Sequence, residues 1–161
     1  MGLDQYAGFR DSKGEVHEEF YWRKHARLQV FFAKQFRKQK EKELSTLKYK
    51  NNTMEDLQHL GFNGGQGGVT ITEEVVKDLE EAIKNDYWDH FASDGFFWGQ
   101  QFQEEQVKNN YWDCFASDGF FWGQQFQEEA VKEYKAQDKK FIKWAKEQIK
   151  AGRQIGYDCS W

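Results

Sequence analysis

The sequence predicts an α+β fold, a small antiparallel sheet from the two termini and a central strand, packed by three or more helices. Three observations predict it. Apolar residues recur at three- and four-residue spacing over long stretches, as one face of a helix requires. Short β-like runs stand at both ends of the chain and at Val69–Ile71. Proline is absent from all 161 residues, so no helix is forced to break.

Residues 1–10 (MGLDQYAGFR) read as a short strand, and Asp11-Ser12-Lys13-Gly14 as a turn after it. From about Glu18 the pattern is read as helical, with Phe20, Lys24, Leu28, Phe31 or Phe32, and Gln35 or Phe36 on one face. That helix would bury its Phe/Leu stripe and present Arg23, Arg27, Lys34 and Lys38 outward. Residues 45–68 have the weakest pattern and end in a glycine-rich stretch, 61–68, read as a flexible connector. A phosphate-binding loop would need Gly-Lys-Ser/Thr opening a helix, and here the glycines run into Val69-Thr70-Ile71.

After that brief strand, Thr70 or Thr72 caps a helix, and Thr70-x-x-Glu73 fits a capping box. Val75, Leu79 and Ala82/Ile83 form its apolar stripe, which continues to Tyr87 and Phe91. The longest helix follows residue 123, with Val131, Tyr134, Asp138, Phe141/Ile142, Ala145 and Gln148/Ile149 on one face and Gly152 at its end. Residues 154–161 read as a terminal strand that pairs with the N-terminal one.

The chain is of single-domain length, and its 15 Phe, seven Trp and seven Tyr supply enough apolar area for a core. Two cysteines, Cys114 and Cys159, give neither a disulfide framework nor zinc spacing, which suits a reducing cytoplasm. The sequence contains no apolar run long enough for a membrane span and no signal-peptide pattern, so no membrane partner is expected. The net charge of −4 hides a segregation. Residues 20–50 hold ten Lys/Arg against two Glu, whereas residues 73–129 hold fourteen Asp/Glu against three Lys.

Residues 85–108 and 109–132 are one 24-residue unit written twice, differing only at Asp86/Asn110, His90/Cys114 and Gln106/Ala130. A recent or engineered tandem duplication is the simplest origin. Each copy carries an aromatic segment, Phe96-Phe97-Trp98 and Phe120-Phe121-Trp122, and Phe97, Trp98, Phe121 and Trp122 are candidate binding residues. If one copy fills the core, the other needs cover elsewhere, so homo-association through this segment is an expectation.

The densest polar-aromatic cluster is Tyr21-Trp22-Arg23-Lys24-His25. Tyr21, Trp22, Arg23, His25 and Arg27 are therefore the other binding candidates. His25 suits acid–base work near neutral pH. The sequence names no partner to orient it, and no catalytic residue is assigned. His17-Glu18-Glu19 lacks the second histidine of a zinc-protease helix, and Asp89…Asp94-Gly95 lacks the alternating carboxylates of a calcium loop. No metal or cofactor is expected.

Taken together, Met1-Gly2-Leu3-Asp4-x-Tyr6, Tyr21-Trp22-Arg23-Lys24-His25, Thr72-Glu73-Glu74, the Gly-Phe-Phe-Trp-Gly segments and the closing Tyr157-Asp158-Cys159-Ser160-Trp161 resemble a family of small uncharacterised phage-borne proteins, also found in prophages and viral metagenomes. The resemblance spans nearly the whole chain, although the family carries one Gly-Phe-Phe-aromatic-Gly segment where this chain has two. It implies an α+β domain made in the cytoplasm of an infected bacterium, and brings no catalytic residues with it.

Three functions follow. The leading one is an accessory protein that binds a host or phage protein non-covalently. The second is nucleic-acid binding through the basic helix 20–42. The third is a small enzyme with His25, Arg23 and Asp4 or Asp158 gathered in one pocket, which requires those side chains to converge.

Overall fold

A computed structural model describes residues 3–23, 25–41, 43, 57, 60–62, 68–85 and 128–160. In chain order these residues form β1 (Asp4–Arg10), β2 (Val16–Arg23), α1 (Ala26–Gln39), β3 (Val69–Ile71), α2 (Glu73–Lys84), α3 (Glu128–Lys150) and β4 (Gln154–Ser160). The sheet runs β2-β1-β4-β3 with every pair antiparallel. The α+β class is as expected, and β1 and β4, the strands nearest the two ends of the chain, sit side by side at its centre.

The largest departure from the sequence reading is β2. Residues 18–23 continue a strand rather than opening a helix, and the basic helix expected over 20–42 is confined to α1. The i, i+4 spacing of Phe20, Lys24 and Leu28 imitated a helix. The competing signal was the turn itself, which returns the chain alongside β1 and leaves Phe20 and Trp22 on the inner face at period two. The turn is built as a hairpin should be. Asp11 Oδ1 accepts the Lys13 and Glu15 N–H groups at 2.9 Å each, and Gly14 takes φ 86°.

A bulge between Ala7 and Gly8 shifts the β1–β2 register. Gly8 is required there, because a Cβ would collide with the His17 carbonyl oxygen.

All three helices cover one face of the sheet. Trp22 packs edge-on to Phe141 of α3 at 5.1 Å, and Tyr157 stacks on Phe32 of α1 at 3.8 Å between ring centroids. Burying each such side chain contributes roughly 1.5–3 kcal/mol. Thr72, not Thr70, is the N-cap of α2, its Oγ1 accepting the Val75 N–H at 3.3 Å; Thr70 lies within β3. Gly152 ends α3 as expected, with Arg153 N–H donating to the Gln148 carbonyl at 3.0 Å in a Schellman turn.

Leu57 and Phe62, from the stretch with the weakest sequence pattern, are fully buried, and Phe62 packs on Phe36.

Side chains answer part of each sheet edge. Along β2, Tyr134 Oη–H and Gln137 Nε2–H of α3 donate to the carbonyls of Arg23 and Tyr21 at 2.6 and 2.7 Å. Along β3, the Gln39 amide gives its N–H to the Thr70 carbonyl at 2.7 Å and accepts the Thr70 N–H at 3.0 Å, standing where the next strand's peptide would be.

The duplicated unit enters the described structure only at its ends. Asn85, its first residue, is the C-cap of α2, and α3 begins at Glu128 within the second copy. The expected continuation of the α2 stripe to Tyr87 and Phe91, and both aromatic segments, lie outside the described residues.

Candidate functional site

The chain converges most densely on a buried polar network between the sheet, α1 and α3. His25 caps α1, its Nδ1 accepting the Leu28 N–H at 3.4 Å. Its Nε2 lies 2.7 Å from Asp138 Oδ2, and Trp22 Nε1–H donates to Asp138 Oδ1 at 3.0 Å. This pattern places the imidazole proton on Nε2, facing the carboxylate. The Tyr134 ring stacks on the imidazole at 4.3 Å.

Gln5 extends the network. Its amide exchanges two hydrogen bonds with the His25 backbone, at 2.8 and 3.1 Å, and donates to Tyr157 Oη at 2.9 Å. Tyr157 Oη–H donates to Gln29 Oε1; Gln29 Nε2–H donates to Cys159 Sγ at 3.3 Å, and the thiol donates to the Phe62 carbonyl at 2.8 Å. Burial holds the Tyr157 hydroxyl well above the usual tyrosine range and pushes the Cys159 thiol up to about 12. Both groups therefore stay protonated and act as neutral donors.

Of the sequence candidates, Trp22, His25 and Arg27 are buried, whereas Tyr21 and Arg23 are exposed on the far side of the sheet. Asp4 pairs with Arg23 in register there, and Tyr21 Oη–H donates to the Asp4 carboxylate, which pushes the Tyr21 hydroxyl up to about 12. Asp158 lies beside Tyr6 on the same outer face. His25 faces the helices, so His25 and the pair Asp4/Asp158 do not share a cleft, and the convergence required of an enzyme built on them is not met. Phe97, Trp98, Phe121 and Trp122 lie outside the described residues.

The extent of the basic helix is also corrected. Most of α1 is buried from Arg27 to Phe36, and its exposed basic character lies towards its last turn, where Lys38 pairs with Asp78 at 3.2 Å.

Asp138 is the residue that sequence reasoning placed but did not interpret. It was assigned to the apolar face of the last helix, where a lone carboxylate needs a buried donor. That requirement was the available signal. Gln5 and Gln29 gave none.

Surface concavities also lie among the described residues. One is a trough of about 520 Å³ on the outer face of the sheet, floored by Gly8 and Gly156 with Tyr6 and Asp158 on one side and Arg10 on the other. The second is a groove of about 600 Å³ between α2 and α3, with Ile83 and Ile142 in its floor and lysines along its walls.

At the hairpin, Asp11, Glu15 and His17 offer ligand atoms within 4.8 Å of one another and form the one group among the described residues with metal-ligand potential. Asp11 is already engaged as the turn-forming residue, and its hydrogen bond from His17 at 2.8 Å holds the carboxyl below the usual range.

No protein-family model, curated protein or solved structure matches this chain.

Proposed function

We propose that this protein acts by non-covalent binding to another protein, in the infected bacterial cytoplasm that its motif resemblance suggests. The observation that carries the reading is the sealing of its most reactive-looking pair. His25 is 2 % exposed and Asp138 is 0 %, and both ring nitrogens of His25 are occupied by Asp138 and the Leu28 N–H. A base so engaged has no route to a substrate, and the pair braces β2 against α1 and α3. Among the described residues of the Tyr-Trp-Arg-Lys-His block, Tyr21 and Arg23 stay reachable, two residue types that commonly anchor protein interfaces.

The test is affinity capture from infected-cell lysate with the full chain and with a Tyr21→Ala/Arg23→Ala variant. A stoichiometric protein held by the first and released by the second supports the reading. Absence of any stoichiometric partner, or capture that depends on nucleic acid and disappears after nuclease treatment, counts against it.

A further inference from the structure

We infer that the trough on the outer sheet face receives an arginine side chain presented by the partner protein. This rests on the proposed function and names what that face recognises. The inference starts from strand register. Antiparallel pairing lines up Glu18, Gly8, Gly156 and Thr70 in one row across the four strands, so two bare backbones lie side by side at its middle. Tyr6 and Asp158, paired with each other, form the neighbouring row about 7 Å along the strands.

Two glycines around the trough answer to the fold. A Cβ on Gly8 would lie 2.0 Å from the His17 carbonyl oxygen, and one on Gly68 would lie 1.7 Å from that of Tyr157. Gly156 is different. Among the described residues, a Cβ there would meet the Val69 carbonyl oxygen at 3.4 Å, an ordinary contact, and its φ is not left-handed. Glycine in mid-strand weakens a sheet, and a recurring reason for it is close approach of a ligand or another chain. A side chain at 156 would rise from the floor of the trough, whose volume is about 520 Å³.

The rim selects what can enter. Glu18 and Asp158 supply two carboxylates, and Glu18 is exposed and enters no ion pair among the described residues. Arg10 on the opposite wall is drawn towards the hairpin, its Nη1–H donating to the Gly14 carbonyl at 3.3 Å. A phosphate backbone would be repelled by the carboxylates. An apolar side chain would strip their water and return no hydrogen bond. A guanidinium meets both demands. It is flat, so it can lie over the Gly8 and Gly156 peptides against the Tyr6 ring while its edge donates to a carboxylate. An ammonium brings the charge without the flat face.

The experiment titrates the isotope-labelled full chain with N-acetylarginine amide and follows backbone amide shifts. Saturable shifts are expected at Gly8 and Gly156, with N-acetyllysine amide binding several-fold more weakly. Glu18→Gln is expected to weaken arginine binding about two- to fivefold, the range of one exposed ion pair. Gly156→Val is expected to abolish it while the melting temperature holds or rises, since valine favours a strand.

The inference is overturned if the two glycines show no saturable shift, if the lysine probe matches the arginine one, or if Gly156→Val binds as well as the parent chain. Should Gly156→Val fail to fold, Glu18→Gln at its exposed position decides, and unchanged affinity there overturns the inference. Capture of a lysate protein through Tyr21 and Arg23 that survives Gly156→Val sinks this inference alone. Absence of any captured protein sinks the proposed function and this inference together.

Discussion

The imidazole of His25 meets the carboxylate of Asp138 at 2.7 Å, and the two residues lie 113 positions apart in the chain. Through this contact the N-cap residue of α1 is fixed to the middle of α3. Removing the acceptor strands two buried donors, Trp22 Nε1–H and His25 Nε2–H. Asp138→Ala is therefore expected to cost about 3–5 kcal/mol in denaturant-unfolding free energy. Trp22→Phe loses one hydrogen bond to the carboxylate, for about 1.5–3 kcal/mol, and adds the cost of the cavity left where the larger ring packed against Phe141. Equal effects from the two substitutions would show that Asp138 matters through Trp22 alone.

The Gln39 side chain stands in for a strand, so its removal should be felt locally. Gln39→Ala is expected to lower global stability by about 1 kcal/mol and to speed hydrogen exchange at the Thr70 amide far more than at Tyr157. Unchanged Thr70 exchange would mean that the amide pair forms only weakly in solution.

Alkali should destabilise this protein in a defined window. In the folded chain the Cys159 thiol is pushed up to about 12, and Tyr157 also lies well above its usual value, both through burial. At pH 10 the unfolded chain has released protons that the folded chain keeps, so folding stability falls as pH rises. The contribution of these two groups is expected to be level below about pH 8.5, the thiol's unperturbed range, and to decline from there towards pH 12. Chemical denaturation at stepped pH measures the decline. In a Cys114→Ser background, Cys159 should also resist alkylation at pH 8 until denaturant is added.

Deleting residues 85–108 places Asn109 directly after Lys84, so the α2 C-cap is asparagine again. The second copy still leads into α3 unaltered. The shorter chain is expected to unfold within a few degrees of the full one, while light scattering on both reports whether the extra copy drives association. A collapse in melting temperature would show that both copies contribute to the core.

Much of the fold was legible in the sequence because its signals are local. The α2 stripe Val75, Leu79, Ala82/Ile83 and the α3 stripe from Tyr134 to Ile149 obey helical spacing, and a glycine ends α3. The pairing of the two terminal strands also follows from segments with no other sheet partner in sight. β2 was misread because eight residues with Phe20, Tyr21 and Trp22 in a row satisfy either period, and only pairing across the Asp11–Gly14 turn decides between them.

The site was less legible. His25 and Trp22 stood out by type, but Asp138 comes near only in three dimensions. The buried amides of Gln5 and Gln29 resemble surface glutamines until the fold encloses them.

The Gln39 and Gln137 contacts at the two sheet edges also bear on how this chain could grow. With the Tyr21 carbonyl of β2 and the Thr70 peptide of β3 already answered by side-chain amides, a strand added at those positions would have to evict one of these glutamines. The junction of α2 and α3 makes no such demand. A repeated unit placed there lies outside every strand, so it adds length without entering any of the three strand pairings.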